Sequence, residues 1–339
     1  MIKRKVKFYG PIDDAYGPGI KNKYTINFLE KKFDTIKFNT FRMSFFKKVK
    51  LFFSLLFDFD NCVIAVSSGG RKKMLPILHL KKCLFPKFKY SVIIINGYII
   101  NEIEQNAKVV KYLKKADRIF VEIDQLKNDL MEKYGFNNVS YFPNFKDINQ
   151  YLERSNIQNN DMNQEIKCVF LSRVSKDKGV DTLIKAFEIT TNRKITLDIF
   201  GPISDDAVDI INRELPKNVK YCGVVENSNV TTTLSNYNVF IFPSKYKFEG
   251  FPAAIVDAYS AGLFVISTPI AYLPYIVSNE ENGIVLKDFE LISLVNTLNS
   301  LTDIQKIKDI GLNNFNCSMF FSTSIVFEKF LKEFDDIGW

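Results

Sequence analysis

The amino-acid sequence has very little histidine and no long apolar stretch. Its 339 residues include a single histidine, His79, which excludes a metal site built from several imidazole ligands. All apolar runs fall well short of the roughly 18 residues that a membrane-spanning helix needs. The first residues, MIKRKVKFYGPIDD, are basic, but their apolar segment is too short for a signal peptide and is typical of a first strand. We therefore expect a cytoplasmic protein without a membrane span.

Cysteine is also scarce, and its spacing forms no motif. The five cysteines are an odd number, and no two of them are separated by only two residues. This excludes a complete disulfide framework and a C-x-x-C zinc or redox site. We expect reduced thiols in the protein interior at all five positions, which are Cys62, Cys83, Cys168, Cys222 and Cys317.

The net charge of +8 is unevenly distributed along the chain. Residues 1–160 carry 29 basic and 15 acidic side chains, a net +14, whereas residues 161–339 carry 17 and 23, a net −6. Such a shift indicates two domains with different tasks. The basic half favours an anionic partner, such as a membrane surface, a charged acceptor or nucleic acid, although a solvated basic face explains the same charge. Because no nucleic-acid-binding motif accompanies the charge, we predict no nucleic-acid partner.

Short β-type segments alternate with helical patterns along the whole chain. Several are almost continuously apolar, as is typical of parallel strands covered on both faces. Between them lies helical spacing, for example at Val180, Ile184 and Phe187. The predicted strands are KVKFY, DTIKF, CVIAV, YSVIII, RIFV and VSYF, followed by IKCVFLS, KITLDIF, VKYC, VFIF, LFVIS and GIVL. Two sets of six predict an α/β protein with two doubly wound, Rossmann-like domains that face each other across a cleft.

A polar segment rich in Asn and Gln, NFKDINQYLERSNIQNNDMNQE, separates the two sets of strands and is typical of a linker. We predict an N-terminal domain over residues 1–150, a hinge over 151–165 and a second domain over 166–316. The last segment, 317–339, has the pattern of a helix, and we expect this helix to return to the first domain.

The loop after the strand CVFLS contains two cations. Arg173 and Lys178 lie between the strand end at Leu171 and a helix that begins near Gly179. An arginine holds phosphate oxygens in a bidentate way, and a lysine adds a point charge. The free amides and partial positive charge of a helix N-terminus favour the same ligand. The loop therefore predicts a diphosphate site, although two solvated surface cations also explain it when it is taken alone.

Glycines and carboxylates mark two further segments. In YGPIDDAYGPGIKNKY, Gly17 and Gly19 precede a helical run. They would let backbone amides approach a phosphate closely, although an ordinary turn also explains them. In EGFPAAIVDAYSAG, Glu249 stands at the entrance of a helix and Asp257 lies inside it. An acid among apolar helix positions is either on the solvent face or turned toward a ligand.

Together, these three segments resemble the retaining glycosyltransferases of family four, which have the GT-B fold. SRVSKDKG is similar to that family's Arg…Lys-Gly element, and FEGFPAAIVDAYSAG is similar to its two acids separated by seven residues. DIFGP, VKYCGVV, FIFPSK and ENGIV resemble the linking segments. The resemblance runs from about residue 1 to the end of the chain and is strongest over 166–287. It implies transfer of a sugar, with retained anomeric configuration, from a nucleotide-diphosphate sugar to an acceptor hydroxyl.

The resemblance also implies roles for the charged residues. Arg173 and Lys178 would bind the donor's diphosphate and stabilise the charge that builds on it. Glu249 would accept hydrogen bonds from the donor sugar, and these three residues form the expected catalytic set. Asp257 would accept hydrogen bonds from the ribose. The expected co-substrate is a nucleotide-diphosphate sugar, and we predict neither a metal nor another cofactor.

Loop residues complete the implied donor site, and two positions depart from the family. The implied loop contacts are Gly17 and Gly19 over the phosphates, Gly223 and Val224 near the base, and Gly250, Phe251 and Pro252 along the sugar and phosphate. The family usually has Glu where this chain has Asp257, and many members have His where this chain has Asn96. Asn96 would donate a similar hydrogen bond to the sugar or acceptor, but it cannot carry a proton.

The segment FRMSFFKKVKLFFSLLF, residues 41–57, is amphipathic. A helix packed on the sheet of the first domain explains it, and so does a helix lying on a membrane surface. In the second case the nearby lysines and arginines add attraction to anionic lipids. We expect a saccharide or lipid-linked acceptor from envelope, capsule or other polysaccharide synthesis, and peripheral contact with the inner face of the cell membrane.

Two other functions stay open from the sequence. A sugar-nucleotide epimerase or hydrolase of the GT-B fold would use the same donor-binding residues. A non-catalytic partner subunit of a transferase complex would explain the missing histidine, although Arg173, Lys178 and Glu249 are all present.

Overall fold

The structure is a computed structural model that describes residues 3–13, 17–95, 97–148 and 165–339. These residues form two compact units. Unit 1 comprises Met1–Asn144 and Ser324–Trp339, and unit 2 comprises Phe145–Thr323. The predicted hinge over 151–165 lies almost wholly outside the described residues.

Unit 1 contains a six-stranded sheet in which all neighbouring strands are parallel. Its strand order is β2-β1-β3-β4-β5-β6. The strands are β1 (Lys5–Gly10), β2 (Asp34–Asn39), β3 (Asn61–Ile64), β4 (Tyr90–Ile94), β5 (Arg118–Val121) and β6 (Val139–Tyr141). The helices that connect them are α1 (Gly17–Lys32), α2 (Phe45–Phe57), α3 (Ser68–Leu84), α4 (Ile99–Gln105), α5 (Ala107–Lys114) and α6 (Asp124–Tyr134). Every residue of β4 is buried, as expected for a strand with helices on both faces.

Unit 2 repeats this architecture. Its parallel sheet has the order β12-β11-β10-β7-β8-β9. The strands are β7 (Ile166–Leu171), β8 (Ile195–Phe200), β9 (Val219–Tyr221), β10 (Val239–Phe242), β11 (Phe264–Ser267) and β12 (Gly283–Val285). The helices are α7 (Val180–Ile189), α8 (Val208–Asn212), α9 (Val230–Leu234), α10 (Ala253–Ser260), α11 (Leu291–Ser300) and α12 (Ile304–Ser318). Buried aliphatic side chains of β7, β8, β10, α7 and α11 form one continuous core.

The last helix, α13 (Thr323–Asp336), packs its aromatic side chains into unit 1. Phe330 stacks on Phe142 with ring centroids 4.3 Å apart, and Phe334 meets Trp339 at 4.9 Å. All four side chains are buried. Burying a large aromatic side chain contributes about 1.5–3 kcal/mol, so the chain end is firmly attached to this unit.

The sequence predicted the strands correctly. Each of the twelve predicted segments forms a strand, and the twelve divide into two parallel sheets of six. This agreement follows from the near-continuous apolar runs that buried parallel strands require.

The amphipathic segment forms a helix, but only a small part of this helix packs against the rest of unit 1. Helix α2 begins at Phe45, and Ser54 and Leu55 are its only buried residues. Phe46 is 83% exposed and Phe57 is 65% exposed. Most of the apolar surface of α2 is therefore open to solvent in unit 1.

The cysteines are only partly interior. All five are free thiols, and Cys62 and Cys168 are buried. Burial raises the pKa of the Cys62 thiol to about 12. Cys83 is exposed, so the prediction of a buried thiol is wrong there, and Cys222 and Cys317 are partly exposed. None of the described helices is both long and apolar enough to cross a membrane.

Candidate functional site

The predicted charged residues of unit 2 lie at the point where its strand order reverses. Strands β7 and β10 are neighbours, yet the chain runs outward from β7 through β8 and β9, and in the opposite direction from β10 through β11 and β12. At such a switch point the loops after the two central strands diverge and leave a crevice for ligands. Arg173 and Lys178 follow β7, and Glu249 follows β10.

A glycine holds the two loops in contact. The loop after β7 ends in a short turn, Lys176–Lys178, before α7 begins at Val180. Gly179 joins them in the left-handed conformation, with φ of 77°. A Cβ added there would overlap the carbonyl oxygen of Pro243 in the loop after β10. Glycine is thus needed both for the backbone conformation and for the close approach of the second loop.

Lys178 and Glu249 form an ion pair across this contact. The Lys178 ammonium donates to Oε1 of Glu249, which also accepts a hydrogen bond of 2.7 Å from the Ser244 hydroxyl. Glu249 is 7% exposed. The ammonium lies 5.4 Å from the ring centroid of Phe242 and 5.5 Å from that of Tyr246. The cation therefore has a fixed position beside aromatic walls, where charge interactions are stronger than in water.

Arg173 is held more loosely. Its Nη2 donates to Oδ2 of Asp177 at 2.9 Å, and more than half of the arginine side chain is exposed. The Ser175 hydroxyl donates to the other oxygen of the same carboxylate. Exposed ion pairs contribute only about 0–1 kcal/mol. The guanidinium can therefore turn from Asp177 to an anionic ligand at little cost.

The second acid lies inside a helix, as the sequence predicts. Pro252 caps α10, which runs over Ala253–Ser260, and Gly262 follows it in the left-handed conformation with φ of 73°. Phe251 is buried, and its ring lies 5.1 Å from that of Phe321. Its side chain anchors the loop within unit 2.

Asp257 lies in α10 and is not on the solvent face. It is 8% exposed and accepts a hydrogen bond of 2.6 Å from the Lys146 ammonium. Burial raises the pKa of the Asp257 carboxyl, and the charge and hydrogen bond of Lys146 oppose this rise without cancelling it. Sequence reasoning missed Lys146, which lies in the polar linker, and Ser244, which lies in the segment FIFPSK but was given no role.

This pKa shift predicts a pH dependence of stability. A carboxyl whose pKa is higher in the folded than in the unfolded state favours folding when it is protonated. This stabilisation is complete when the pH is below the pKa of the carboxyl in the unfolded chain, about 3.9. It is lost as the pH rises through the higher pKa of the same carboxyl in the folded protein. We expect the wild type to lose unfolding free energy relative to Asp257→Asn as the pH rises above about 4. Urea unfolding of both proteins across this range checks it, and a constant or reversed difference would contradict it.

The remaining predicted loop residues of unit 2 lie after β9. Gly223 has φ of 84°, and a Cβ added there would meet no atom within 4 Å. Its carbonyl accepts a hydrogen bond of 2.8 Å from the amide of Gly201, which follows β8. Val224 is 67% exposed. Because β7, β8 and β9 are parallel, the loop after β9 lies at the same end of the sheet as Arg173.

Gly17 and Gly19 belong to unit 1, where both lie in the first turn of α1. A Cβ at Gly19 would overlap Asp13, whereas one at Gly17 would meet no atom within 4 Å. Local packing thus requires glycine at Gly19 but not at Gly17. Asn96 lies outside the described residues. Among the residues that the structure describes, no group of three or more His, Cys, Asp or Glu side chains is placed to hold a metal ion.

The sequence has relatives among known proteins. Residues 152–310 match the model of the family described as Glycosyl transferases group 1. The capsular polysaccharide biosynthesis glycosyltransferase CapM from Staphylococcus aureus is 24% identical over 213 residues, which cover 59% of this chain and 55% of CapM. An uncharacterized 41.2 kDa protein in the cps region of Klebsiella pneumoniae is 28% identical over 145 residues, which cover 43% of this chain and 39% of that protein. The chain spans between 39% and 58% of the length of these and a third curated relative.

Solved structures share the fold. Sucrose-phosphate synthase from Thermosynechococcus elongatus has a TM-score of 0.75 at 14% identity, and 99% of each chain is covered. The Anabaena protein HepE in complex with UDP has a TM-score of 0.74 at 15% identity, with 98% of this chain and 100% of that chain covered. These matches confirm the predicted fold class, a GT-B-like pair of parallel α/β sheets.

Proposed function

Because residues 152–310 match the model of the glycosyl transferases group 1 family, we propose that the chain is a retaining glycosyltransferase. It moves a sugar from a nucleotide-diphosphate sugar to an acceptor hydroxyl. One observation carries this proposal. Two cations and a carboxylate converge at the switch point of unit 2, with Arg173 and Lys178 after β7 and Glu249 after β10. Doubly wound sheets bind nucleotides and phosphates at this place.

The two cations would act on the donor's diphosphate. As the bond between the anomeric carbon and the phosphate oxygen breaks, negative charge builds on that oxygen. Lys178, fixed beside Phe242, and the more mobile Arg173 would stabilise this charge. The acceptor oxygen bonds to the anomeric carbon on the face that the phosphate leaves, and the acceptor's proton passes to the leaving phosphate. The enzyme then contributes placement and charge stabilisation and needs no nucleophile of its own.

Glu249 would hold the donor sugar. Its Oε1 already accepts hydrogen bonds from Lys178 and Ser244, whereas its Oε2 accepts none from a described residue. A sugar hydroxyl would therefore find one carboxylate oxygen available while the other stays anchored. The backbone of Gly250, Phe251 and Pro252 would lie beside the same sugar.

Asp257 would bind the ribose of the nucleotide. Its carboxylate is already paired with Lys146, so a ribose hydroxyl would share the carboxylate with the lysine. The loop of Gly223 and Val224 would lie near the base, and a contact of Gly17 and Gly19 with the donor stays a prediction. Asp257→Ala should therefore weaken donor binding, and unchanged affinity would remove the ribose role.

Relatives supply the best guide to donor and acceptor. The HepE structures contain UDP and UDP-glucose, and we infer a uridine diphosphate sugar as the donor here. CapM is named for capsular polysaccharide biosynthesis, and the Klebsiella relative is named for a cps region. We infer from these names that the acceptor is a saccharide or a lipid-linked saccharide of a capsule or another cell-envelope polysaccharide.

The experiment for this proposal combines donor binding with product analysis. A panel of nucleotide sugars, screened by thermal shift, should contain at least one that raises the melting temperature. The same sugar, supplied with an acceptor, should yield a glycoside whose anomeric configuration matches that of the donor by proton NMR. Release of a free sugar or an epimerised donor would instead support the hydrolase or epimerase alternative. Donor binding without any chemical change would support a non-catalytic subunit.

We further propose that α2 contacts an anionic membrane surface. Phe46, Val49, Phe53 and Phe57 recur at helical spacing on one exposed face, and Lys47 and Lys50 lie beside that face along the helix. Apolar side chains flanked by lysines are typical of helices that lie in the membrane interface. Each lysine near an anionic leaflet contributes about 1 kcal/mol.

Vesicle flotation tests this contact. The wild type should float with phosphatidylglycerol vesicles and stay unbound with phosphatidylcholine vesicles. Replacing Phe46, Phe53 and Phe57 together by Ser should abolish flotation without lowering the melting temperature, because all three side chains are exposed. Equal flotation of this variant would remove α2 from the membrane contact.

A further inference from the structure

Unit 1 contains a large pocket at the switch point of its own sheet. Strands β1 and β3 are neighbours from which the chain proceeds in opposite directions. The pocket has a volume of about 770 Å³, and its wall includes Pro11 after β1, Val66 and Ser67 after β3, and Ile95 after β4. Volumes of about 300–1,000 Å³ are usual for sites that bind small molecules and cofactors. Its position is that at which doubly wound sheets bind ligands.

The pocket wall is mainly apolar. Helix α2 contributes Leu51, Phe52 and Leu55, which share one helix face, and α3 contributes Met74 and Ile77. This face of α2 is different from the exposed face formed by Phe46, Val49, Phe53 and Phe57. An open, apolar and largely preformed wall favours an extended hydrocarbon group over a sugar, because a sugar needs many polar partners.

Three cations and one carboxylate, Asp13, also line this pocket, so its wall carries a net positive charge. Arg42, Lys48 and Lys73 have exposed side chains, and none makes an ion pair with a described residue. Arg42 has φ of 44°, a conformation that costs a non-glycine residue about 1 kcal/mol or more. The cations therefore lie where an anionic group of the ligand would reach them.

We propose that this pocket binds a lipid phosphate, with the hydrocarbon chain against α2 and α3 and the phosphate near Arg42, Lys48 and Lys73. This inference rests on the proposed function, since it identifies the acceptor as a saccharide carried on such a lipid. Pro18 and Gly19 form part of the pocket wall. A preceding reaction must then attach the acceptor saccharide to the lipid phosphate.

Farnesyl phosphate is a suitable probe, and calorimetric titration of the full chain measures its binding. We expect farnesyl phosphate to bind, farnesol to bind more weakly and inorganic phosphate to give no detectable heat. Replacing Lys48 and Lys73 together by Gln should weaken farnesyl phosphate binding about tenfold or more, with little effect on farnesol. Equal binding of farnesyl phosphate by wild type and variant, or saturable binding of phosphate alone, would overturn the proposal.

Two substitutions at Gly69 test whether the hydrocarbon chain of the ligand lies in the pocket. Gly69 lies in the first turn of α3 and lines the pocket, and a Cβ added there would meet no atom within 4 Å. Gly69→Phe should therefore fold normally while its ring occupies pocket volume, so farnesyl phosphate binding should be lost. Gly69→Ala adds only a methyl group and should bind as the wild type does. Equal affinity of the two variants would place the lipid elsewhere.

The test of the lipid site is independent of the test of the transferase proposal, because the titration with farnesyl phosphate contains no nucleotide. Lys178→Ala alters unit 2 and should leave farnesyl phosphate binding unchanged. A protein that binds farnesyl phosphate but no nucleotide sugar would refute the transferase proposal and keep the lipid site. A protein that transfers sugar but shows no difference between Gly69→Phe and Gly69→Ala would refute the lipid site alone.

Discussion

Lys178→Ala should lower the rate of sugar transfer by about 10²–10³-fold, which corresponds to about 2.7–4 kcal/mol of transition-state stabilisation. The ammonium is fixed by Glu249 and lies beside the rings of Phe242 and Tyr246. A preorganised charge in such a site stabilises the leaving diphosphate without a cost of reorganisation. Steady-state kinetics with a donor found in the nucleotide-sugar panel measures the effect as kcat/KM.

Lys176→Ala is the matched control for this substitution. Lys176 lies two residues away in the same loop, and its side chain is exposed. Its removal should leave the rate within about twofold, because an isolated surface charge contributes little. The melting temperature of Lys178→Ala shows whether the fold survives the unpaired Glu249. A folded Lys178→Ala protein with wild-type turnover would remove Lys178 from the proposed catalytic set.

Gly179→Ala should destabilise the protein by about 2 kcal/mol or more. The residue has φ of 77°, which costs a non-glycine residue about 1–3 kcal/mol. In addition, the new methyl group would overlap the carbonyl oxygen of Pro243, so the loops after β7 and β10 would have to separate. Because that separation also pulls Lys178 from Glu249, activity should fall together with stability.

The variant Gly223→Ala distinguishes the cost of a positive φ from the cost of steric overlap. Gly223 also has a positive φ, 84°, but an added Cβ would meet no atom within 4 Å. It should therefore show the conformational cost without the overlap, and its loss of unfolding free energy in urea should be clearly smaller than that of Gly179→Ala. Equal losses would mean that the contact with Pro243 is unimportant for stability.

The sequence predicted best those features that depend on neighbouring residues along the chain. The strands follow from apolar runs, and the loop positions of Arg173, Lys178 and Glu249 follow from where β7 and β10 end. The sequence also placed Asp257 inside a helix, and in the structure Pro252 and Gly262 flank that helix, α10.

The partners of these residues could not be predicted. Lys178 pairs with Glu249 although 71 residues separate them, and Asp257 pairs with Lys146 from a different part of the chain. Such pairs depend on which strands become neighbours in the sheet, and periodicity alone does not give that order. Hydrophobic pattern also could not decide between a packed and an exposed α2, because both have an apolar face.

The most direct test of the central claim is a calorimetric titration of UDP into four proteins: the wild type, Arg173→Ala, Lys178→Ala and Lys176→Ala. The claim is that the switch point of unit 2 binds the donor's diphosphate through Arg173 and Lys178. We predict that the wild type and Lys176→Ala bind UDP with equal affinity, and that each of the other two variants binds it at least about tenfold more weakly, a loss of about 1.4 kcal/mol. Equal affinity in all four proteins would contradict the claim.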